Sequence, residues 1–193
     1  MDKIEIPLSK TKIALLVAAS AIFVALGVVF TATPSTFLSP VTPSPGVVRV
    51  VGILSALFFG FAGAYGVKKL LDKTIGLTVD ARGITDNTNA SSVGLVSWED
   101  ITEIKTGQIM SNKFLLIYTA NPEKYIARKA GFYKKIVMGN MKMYGTPITI
   151  TSSTLKCSFA ELEKHISSQF MAQQKMAGRN RKFSSQKTSK LQH

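Results

Sequence analysis

The stretch IALLVAASAIFVALGVVFTA, residues 13–32, runs 20 residues without a charged side chain, and VVGILSALFFGFAGAYGV, residues 50–67, runs 18 more. A helix rises about 1.5 Å per residue, so each stretch covers most of the roughly 30 Å apolar thickness of a bilayer. A buried helix of a soluble protein seldom stays uncharged this long, still less twice in succession. A cleaved signal peptide has an apolar stretch of only about 7–15 residues followed by a small-residue cleavage motif, and the first run has neither feature. The two runs are therefore read as transmembrane helices, over about 13–32 and 47–69.

Between them lies TPSTFLSPVTPSPG, residues 33–46, with Pro34, Pro40, Pro43 and Pro45. Prolines at this density prevent a continuous helix, so the helices return as an antiparallel hairpin occupying 1–73. Lys3, Lys10 and Lys12 precede the first helix, and Lys68, Lys69 and Lys73 follow the second. The connecting loop has no Lys or Arg, and Arg49 at its edge can snorkel to the interface. The positive-inside rule then places both termini in the cytoplasm, in the inner membrane of a cell. Gly52, Ala56, Gly60 and Ala64 recur every fourth residue on the second helix, and Ala14, Ala18, Ala21 and Ala25 line the first. Small residues at this spacing allow close backbone approach in lipid. They are read as the packing face of the hairpin, with a homodimer through one of them as the alternative.

The remaining composition is unusual for a membrane hairpin alone. The chain has 193 residues, 24 Lys/Arg against 11 Asp/Glu, a net charge of +13 and 46% apolar residues, with a mean hydropathy of +0.18. Charge and apolarity must sit in different segments. Cys157 is the single cysteine, which excludes a disulfide scaffold, and His165 and His193 are the two histidines, too few for a zinc site. Neither a phosphate-binding P-loop nor a dinucleotide-binding glycine motif occurs. Cys157 has no histidine beside it in the sequence and is read as a small half-buried residue. No catalytic, cofactor-binding or metal-ligating residue is assigned, and the chain is read as non-enzymatic.

From Thr74 onward short β-type segments alternate with turn residues, and residues 74–174 are read as one cytoplasmic domain. Strands are expected at 76–80, from Ile84, at 95–105, at 113–120 (KFLLIYTA) and at 146–151 (TPITIT). KFLLIYTA is almost continuously apolar, as in a central strand. Trp98 and Ile101 of the W-E-D-I segment are expected in the core, with Glu99 and Asp100 turned to water. A closing helix starts at Ser158, whose S-x-x-E spacing to Glu161 has the form of a capping box. Its apolar stripe is Phe159, Leu162, Ile166 and Phe170.

That plan is similar to a pleckstrin-homology-like (PH-like) fold. The chain also resembles a family of small uncharacterised bacterial membrane proteins that join two N-terminal transmembrane helices to a bacterial PH-like domain. The residues carrying the resemblance are Ile4-Glu5-Ile6-Pro7-Leu8-Ser9-Lys10-Thr11-Lys12, Phe59-Gly60, Lys68-Lys69-Leu70, Ser92 to Ile101, Asn121 to Ile126 and Tyr144 to Ile148, in one order over residues 4–170. The resemblance implies a membrane α+β architecture, with a two-helix transmembrane hairpin followed by a PH-like antiparallel β domain closed by a C-terminal helix. It implies no activity.

A helical insert is expected over about 122–142, opened by Asn121 as N-cap and Pro122 in its first turn. On a helical wheel Ile126, Ala130, Tyr133, Val137 and Met141 share one side, and Lys124, Arg128, Lys135 and Lys142 share the other. Three uses fit those four cations: a solvated face, contact with anionic inner-leaflet lipid, or docking of an acidic protein. Residues 175–193 carry six basic and no acidic residues, a composition that predicts a disordered tail. With Phe183 as its single aromatic residue the tail lacks the stacking array of a nucleic-acid binder, and nucleic acid is not the expected partner. The sequence thus points to a membrane-tethered recognition or scaffold protein that binds a protein partner or the inner leaflet. The alternative is an accessory subunit or modulator of a transport or envelope-stress complex acting through the hairpin.

Overall fold

The computed structural model describes residues 3–41 and 44–190, with side chains up to Arg179. The chain forms two compact units: Ser9–Lys73, and a second unit assembled from the residues before Ser9 together with those from Thr74 onward.

Ser9–Lys73 is a helical hairpin. Helix α1 spans Lys10–Ala32 and α2 spans Pro45–Leu71, about 34 and 40 Å at 1.5 Å per residue. Both are long and apolar enough to cross a membrane. Ser9 opens α1, its Oγ accepting the Lys12 backbone N–H at 3.3 Å. Pro45 takes the first position of α2, where a missing N–H costs nothing. A short 3-10 turn, Pro34–Phe37, packs Phe37 against Phe30 at 4.6 Å between ring centroids. The seam between the helices is set by glycine. A Cβ added to Gly27 would lie 2.7 Å from the Gly52 carbonyl oxygen, and one added to Gly52 would lie 2.7 Å from the Gly27 carbonyl oxygen. The two backbones touch at that crossing, and Phe23 stacks on Phe59 at 4.4 Å along the same seam.

At the other end of the hairpin, Lys10 Nζ donates to the carbonyls of Lys69 (3.2 Å), Leu70 (2.7 Å) and Asp72. An ammonium group at the C-terminus of α2 satisfies carbonyls that have no helical partner and complements the helix dipole. Lys69 Nζ pairs with Asp72 Oδ2 at 2.8 Å. Of the lysines read as orientation signals, Lys10 therefore also ties the ends of the two helices together, and Lys69 fastens the C-terminal end of α2 to its own cap.

The second unit is antiparallel throughout. One sheet contains β1 (Ile4–Pro7), β2 (Ile75–Val79), β3 (Gly83–Asp86) and β4 (Gly94–Ser97), in that order. The other contains β5 (Ile101–Ile109), β6 (Asn112–Thr119) and β7 (Ile148–Ile150). Strand β1 was absent from the sequence reading, which gave all of 1–73 to the hairpin. It pairs with β2 in the register Ile4↔Val79, Glu5↔Thr78, Ile6↔Leu77, and an isolated bridge, Leu8↔Leu155, prolongs the connection. Alternation in Ile4-Glu5-Ile6-Pro7-Leu8 was the signal: Ile6 and Leu8 are buried and Glu5 is exposed.

The single strand expected over 95–105 is two strands in different sheets. A 3-10 turn at Trp98–Asp100 breaks it. Trp98 anchors that corner, its indole N–H donating to the Asp80 carbonyl at 2.7 Å and its backbone N–H to the Arg82 carbonyl at 3.2 Å. The apolar faces of both sheets share one core, in which Leu77, Val79, Ile84 and Val96 meet Leu115, Ile117, Ile148 and Ile150.

The helical insert is also broken: α3 covers Glu123–Ile126 and α4 covers Gly131–Tyr144. Asn121 caps as expected, its Oδ1 accepting the Lys124 N–H at 3.3 Å. The wheel drawn through 122–142 fails because Ala130 is extended (φ −128°, ψ 163°) and Gly131 has φ +54°, so the helical phase is reset between the two pieces.

Helix α5, Phe159–Lys190, closes the unit. Its capping box forms as the sequence spacing predicts. Glu161 N–H donates to Ser158 Oγ at 3.2 Å and Ser158 N–H to Glu161 Oε2 at 2.7 Å. Leu162 and Ile166 are fully buried, and Phe159 and Phe170 pack at the edge of the core. The helix continues to Lys190 through most of the stretch expected to be disordered. No proline interrupts 159–190 and Gly178 is its single glycine, so nothing local stops it. Residues 191–193 of the expected tail lie outside the described residues.

Replacing Ile6 by Ala should destabilise the unit by about 2–5 kcal/mol. Replacing exposed Glu5 by Ala should change stability by no more than about 0.5 kcal/mol. Denaturant unfolding of the full chain in detergent, followed by Trp98 fluorescence, distinguishes the two. Equal effects would show that β1 is not part of the core.

Candidate interaction surface of the helical insert

The four cations placed together on the sequence wheel separate into two pairs. Lys124 and Arg128 are engaged within the fold. Lys124 Nζ lies 2.6 Å from Asp100 Oδ2. Arg128 donates to the carbonyls of Val93 (3.3 Å) and Leu95 (2.5 Å). Its guanidinium group lies 4.6 Å from the centroid of the Tyr125 ring.

Tyr125 is the centre of this cluster. It is fully buried, and its hydroxyl donates to Asp100 Oδ2 at 2.6 Å. Asp100 therefore fixes α3 to the corner between the two sheets and is not the solvated residue expected from the sequence. Its carboxyl group is held below the usual carboxylate range, first by the hydrogen bond from Lys124 and then by that from Tyr125. Burial, reinforced by Asp100, pushes the Tyr125 hydroxyl up to about 12. A phenol held protonated against a carboxylate held ionised is a structural lock. The acidic residue of W-E-D-I that matters is Asp100; only a tertiary contact reveals it.

The second pair, Lys135 and Lys142, lies on α4. This helix turns Val137 into the core, together with Met141 at the core's edge. Asn140 Nδ2 donates to Thr149 Oγ1 at 3.3 Å, and the Tyr144 carbonyl accepts the Tyr118 hydroxyl at 3.0 Å. Gly145, left-handed at φ +73°, ends the helix and returns its N–H to the Met141 carbonyl at 2.9 Å. The opposite side is solvent-exposed: Lys135 and Lys142 are exposed, as are Phe132 (58%), Met138 (52%) and Met143 (70%). Tyr133, placed on the inward stripe by the wheel, is 39% exposed. The wheel placed only the four cations on its polar side; at the same 100° per residue Phe132, Met138 and Met143 fall on that side too.

The hairpin ridge also divides. Gly52 is buried at the crossing and Ala56 packs beside Gly27, whereas Gly60 and Ala64 are exposed, with open space beyond Gly60. On α1 the seam runs through Ile13, Val17, Ser20, Val24, Gly27 and Thr31, and Ala14, Ala18, Ala21 and Ala25 face outward. The spacing along the seam alternates between four and three residues, the 3.5-residue repeat of a left-handed helix pair. A strict four-residue ridge drifts off such a seam, which is why Gly60 and Ala64 leave it on α2; the alanines of α1 share the seam's spacing but are offset from it by one residue.

A separate cleft of about 440 Å³ lies between the Trp98 corner and α5, lined by Trp98, Glu99, Ile101, Phe170, Gln173 and Gln174 among others. Among the described residues no group of three or more His, Cys, Asp or Glu could hold a metal ion. No family model, curated protein or solved structure matches the chain.

The lock has a defined pH signature. Asp100 has a lowered pKa in the fold, so its contribution is present above pH ~4 and lost as pH falls through the folded value. Tyr125 has a raised pKa, so its contribution is complete below pH ~10 and lost as pH rises towards about 12. Tyr125→Phe should cost about 1.5–3 kcal/mol at neutral pH and remove part of the alkaline loss. Asp100→Asn should flatten the acid limb. Unfolding curves from pH 3 to about 12 check both, and superimposable wild-type and variant profiles would contradict the lock.

Proposed function

We propose that this chain is a two-pass inner-membrane protein with a PH-like, non-enzymatic domain that serves as a recognition or scaffold module at the cytoplasmic face. The observation that carries this reading is the pairing of β1 with β2. The strands before and after the hairpin are hydrogen-bonded neighbours in one sheet. A membrane-crossing hairpin whose ends feed adjacent strands must have both ends on the same side, independently of the positive-inside rule. The outward apolar side chains of the helices support the bilayer: Leu15, Leu57, Phe58 and Phe61 are each at least 60% exposed, a surface that water does not tolerate over this length.

The PH-like assignment is supported by sheets of four and three antiparallel strands with a shared core, followed by a C-terminal amphipathic helix. Such a scaffold presents loops and helices around a rigid core, which suits binding. The outward Ala14, Ala18, Ala21, Ala25, Gly60 and Ala64 favour a second reading, in which the hairpin joins a second copy or a transport or envelope-stress complex inside the bilayer.

Cysteines placed singly at positions 3, 36 and 73, in a chain carrying Cys157→Ala, test the topology with a membrane-impermeant maleimide. Thr36→Cys should label from outside intact cells, and Lys3→Cys and Lys73→Cys from the cytoplasmic side alone. Labelling of positions 3 and 73 from opposite sides would contradict a two-pass hairpin. Replacing the hairpin with an unrelated one, followed by crosslinking in native membranes, separates the two readings. Partners of the domain survive the exchange, and partners of the hairpin do not.

A further inference from the structure

We infer that the outer face of α4 is an interfacial surface that docks onto anionic lipid, with Lys135 and Lys142 at headgroup phosphates and Phe132, Met138 and Met143 at the acyl boundary. This inference rests on the membrane reading above and deepens it by assigning the surface and its ligand. Three observations converge. The first is geometry: at about 100° per residue, Met138, Lys142, Lys135, Phe132 and Met143 fall within an arc of about 140°, with Val137 and Met141 opposite. The arc is therefore the side that α4 does not use to pack on its own core. The second is charge: α4 carries three lysines and no acidic residue, which is complementary to an anionic leaflet. The third is the mixture itself. A solvated face would carry lysines without an exposed phenylalanine and two exposed methionines, and an apolar protein interface would not interleave them with lysine. In that arc Lys142 and Lys135 lie centrally and Met138, Phe132 and Met143 flank them, so the ammonium groups meet the phosphate plane while the apolar side chains border it.

The surface differs from the four-lysine face expected from the sequence, because Lys124 and Arg128 are committed to Asp100 and to backbone carbonyls. It also differs in purpose from an anchor. A chain already held by two bilayer-length helices needs no further attachment, so docking of α4 orients the domain on the leaflet and governs which of its other surfaces face the cytoplasm. An acidic protein would match the lysines equally well, but two lysines at the centre of the face depart from the lysine-poor composition of protein interfaces. The lipid is also present wherever the hairpin is embedded.

The test uses the full chain with Cys157→Ala and Met138→Cys, labelled with a polarity-sensitive fluorophore. It is reconstituted into nanodiscs of phosphatidylcholine alone or with phosphatidylglycerol, each also prepared with lipid carrying a quencher in the upper acyl chain. Docking predicts a blue-shifted, quenched label in the phosphatidylglycerol discs and an aqueous, unquenched one in phosphatidylcholine. Each single change of Lys135 or Lys142 to Gln should lower the docked-to-undocked ratio about fivefold, and added salt should lower it further. A label that stays aqueous in both discs overturns the inference. So does quenching that is equal in both and indifferent to the lysine changes, because it would owe nothing to anionic lipid. Protection of the label by an added acidic protein, without quenching by lipid, assigns the face to protein and likewise overturns it. Failure of the chain to enter nanodiscs at all would instead refute the membrane reading, so the two failures are distinguishable.

Discussion

The structure depends on one constraint: Ile4–Pro7 must reach across the entire helical hairpin to pair with Ile75–Val79. Sixty-seven residues, 8–74, separate the two strands in sequence, yet in the sheet they are neighbours. The pairing covers β2, which would otherwise be an edge strand with unpaired backbone groups. It also contributes Ile6 to the common core. The hairpin is thus an insertion between two adjacent strands, and the globular unit is discontinuous in sequence. Lys10 imposes the same closure from within the hairpin, because its ammonium group bonds to the last carbonyls of α2 and holds the helix ends together.

What was legible in the sequence was local. The uncharged runs mark both long helices, the apolar density of KFLLIYTA marks β6, and the Ser158/Glu161 spacing marks the start of α5. Each of these lies within one continuous stretch of the chain. What was not legible depends on partners far away in sequence. The break at Trp98 is fixed by the carbonyls of Asp80 and Arg82, and nothing in W-E-D-I announces them. The break at Ala130 left Gly131 as its trace, but a glycine inside an amphipathic pattern is ambiguous until the backbone is seen. Asp100 looked like a surface acid because its partners, Lys124 and Tyr125, were assigned to a helix of their own. Strand β1 was overlooked because its four residues are shorter than the patterns normally trusted, and because the hairpin signal beside it was so strong.

The distribution of charge gains meaning once these contacts are known. A net charge of +13 reads at first as one large basic patch, and the sequence wheel reinforces that impression. In the fold, several cations have specific internal duties: Lys10 at the end of α2, Lys69 with Asp72, Lys124 with Asp100, and Arg128 with the 93–95 backbone. The lysines of α4 are set among exposed apolar side chains instead. The same residue type therefore closes the hairpin, fastens α3 and furnishes an outward surface, and position in the fold decides which. The Asp100–Tyr125 lock bears on that surface through the chain. It fixes α3, from which four residues, 127–130, lead into α4.

The measurement that tests the account most directly is a disulfide across the insertion. Glu5 and Thr78 are opposed in the β1–β2 register, at a separation that paired cysteines can bridge. A chain carrying Glu5→Cys, Thr78→Cys and Cys157→Ala, with a protease site placed in the loop near Ser39, would be oxidised and cut. The account predicts that the two halves of the hairpin remain covalently joined until a reductant separates them. Separation without reductant, with both cysteines still accessible to a maleimide, would show that β1 does not lie beside β2 and would remove the basis for the discontinuous domain.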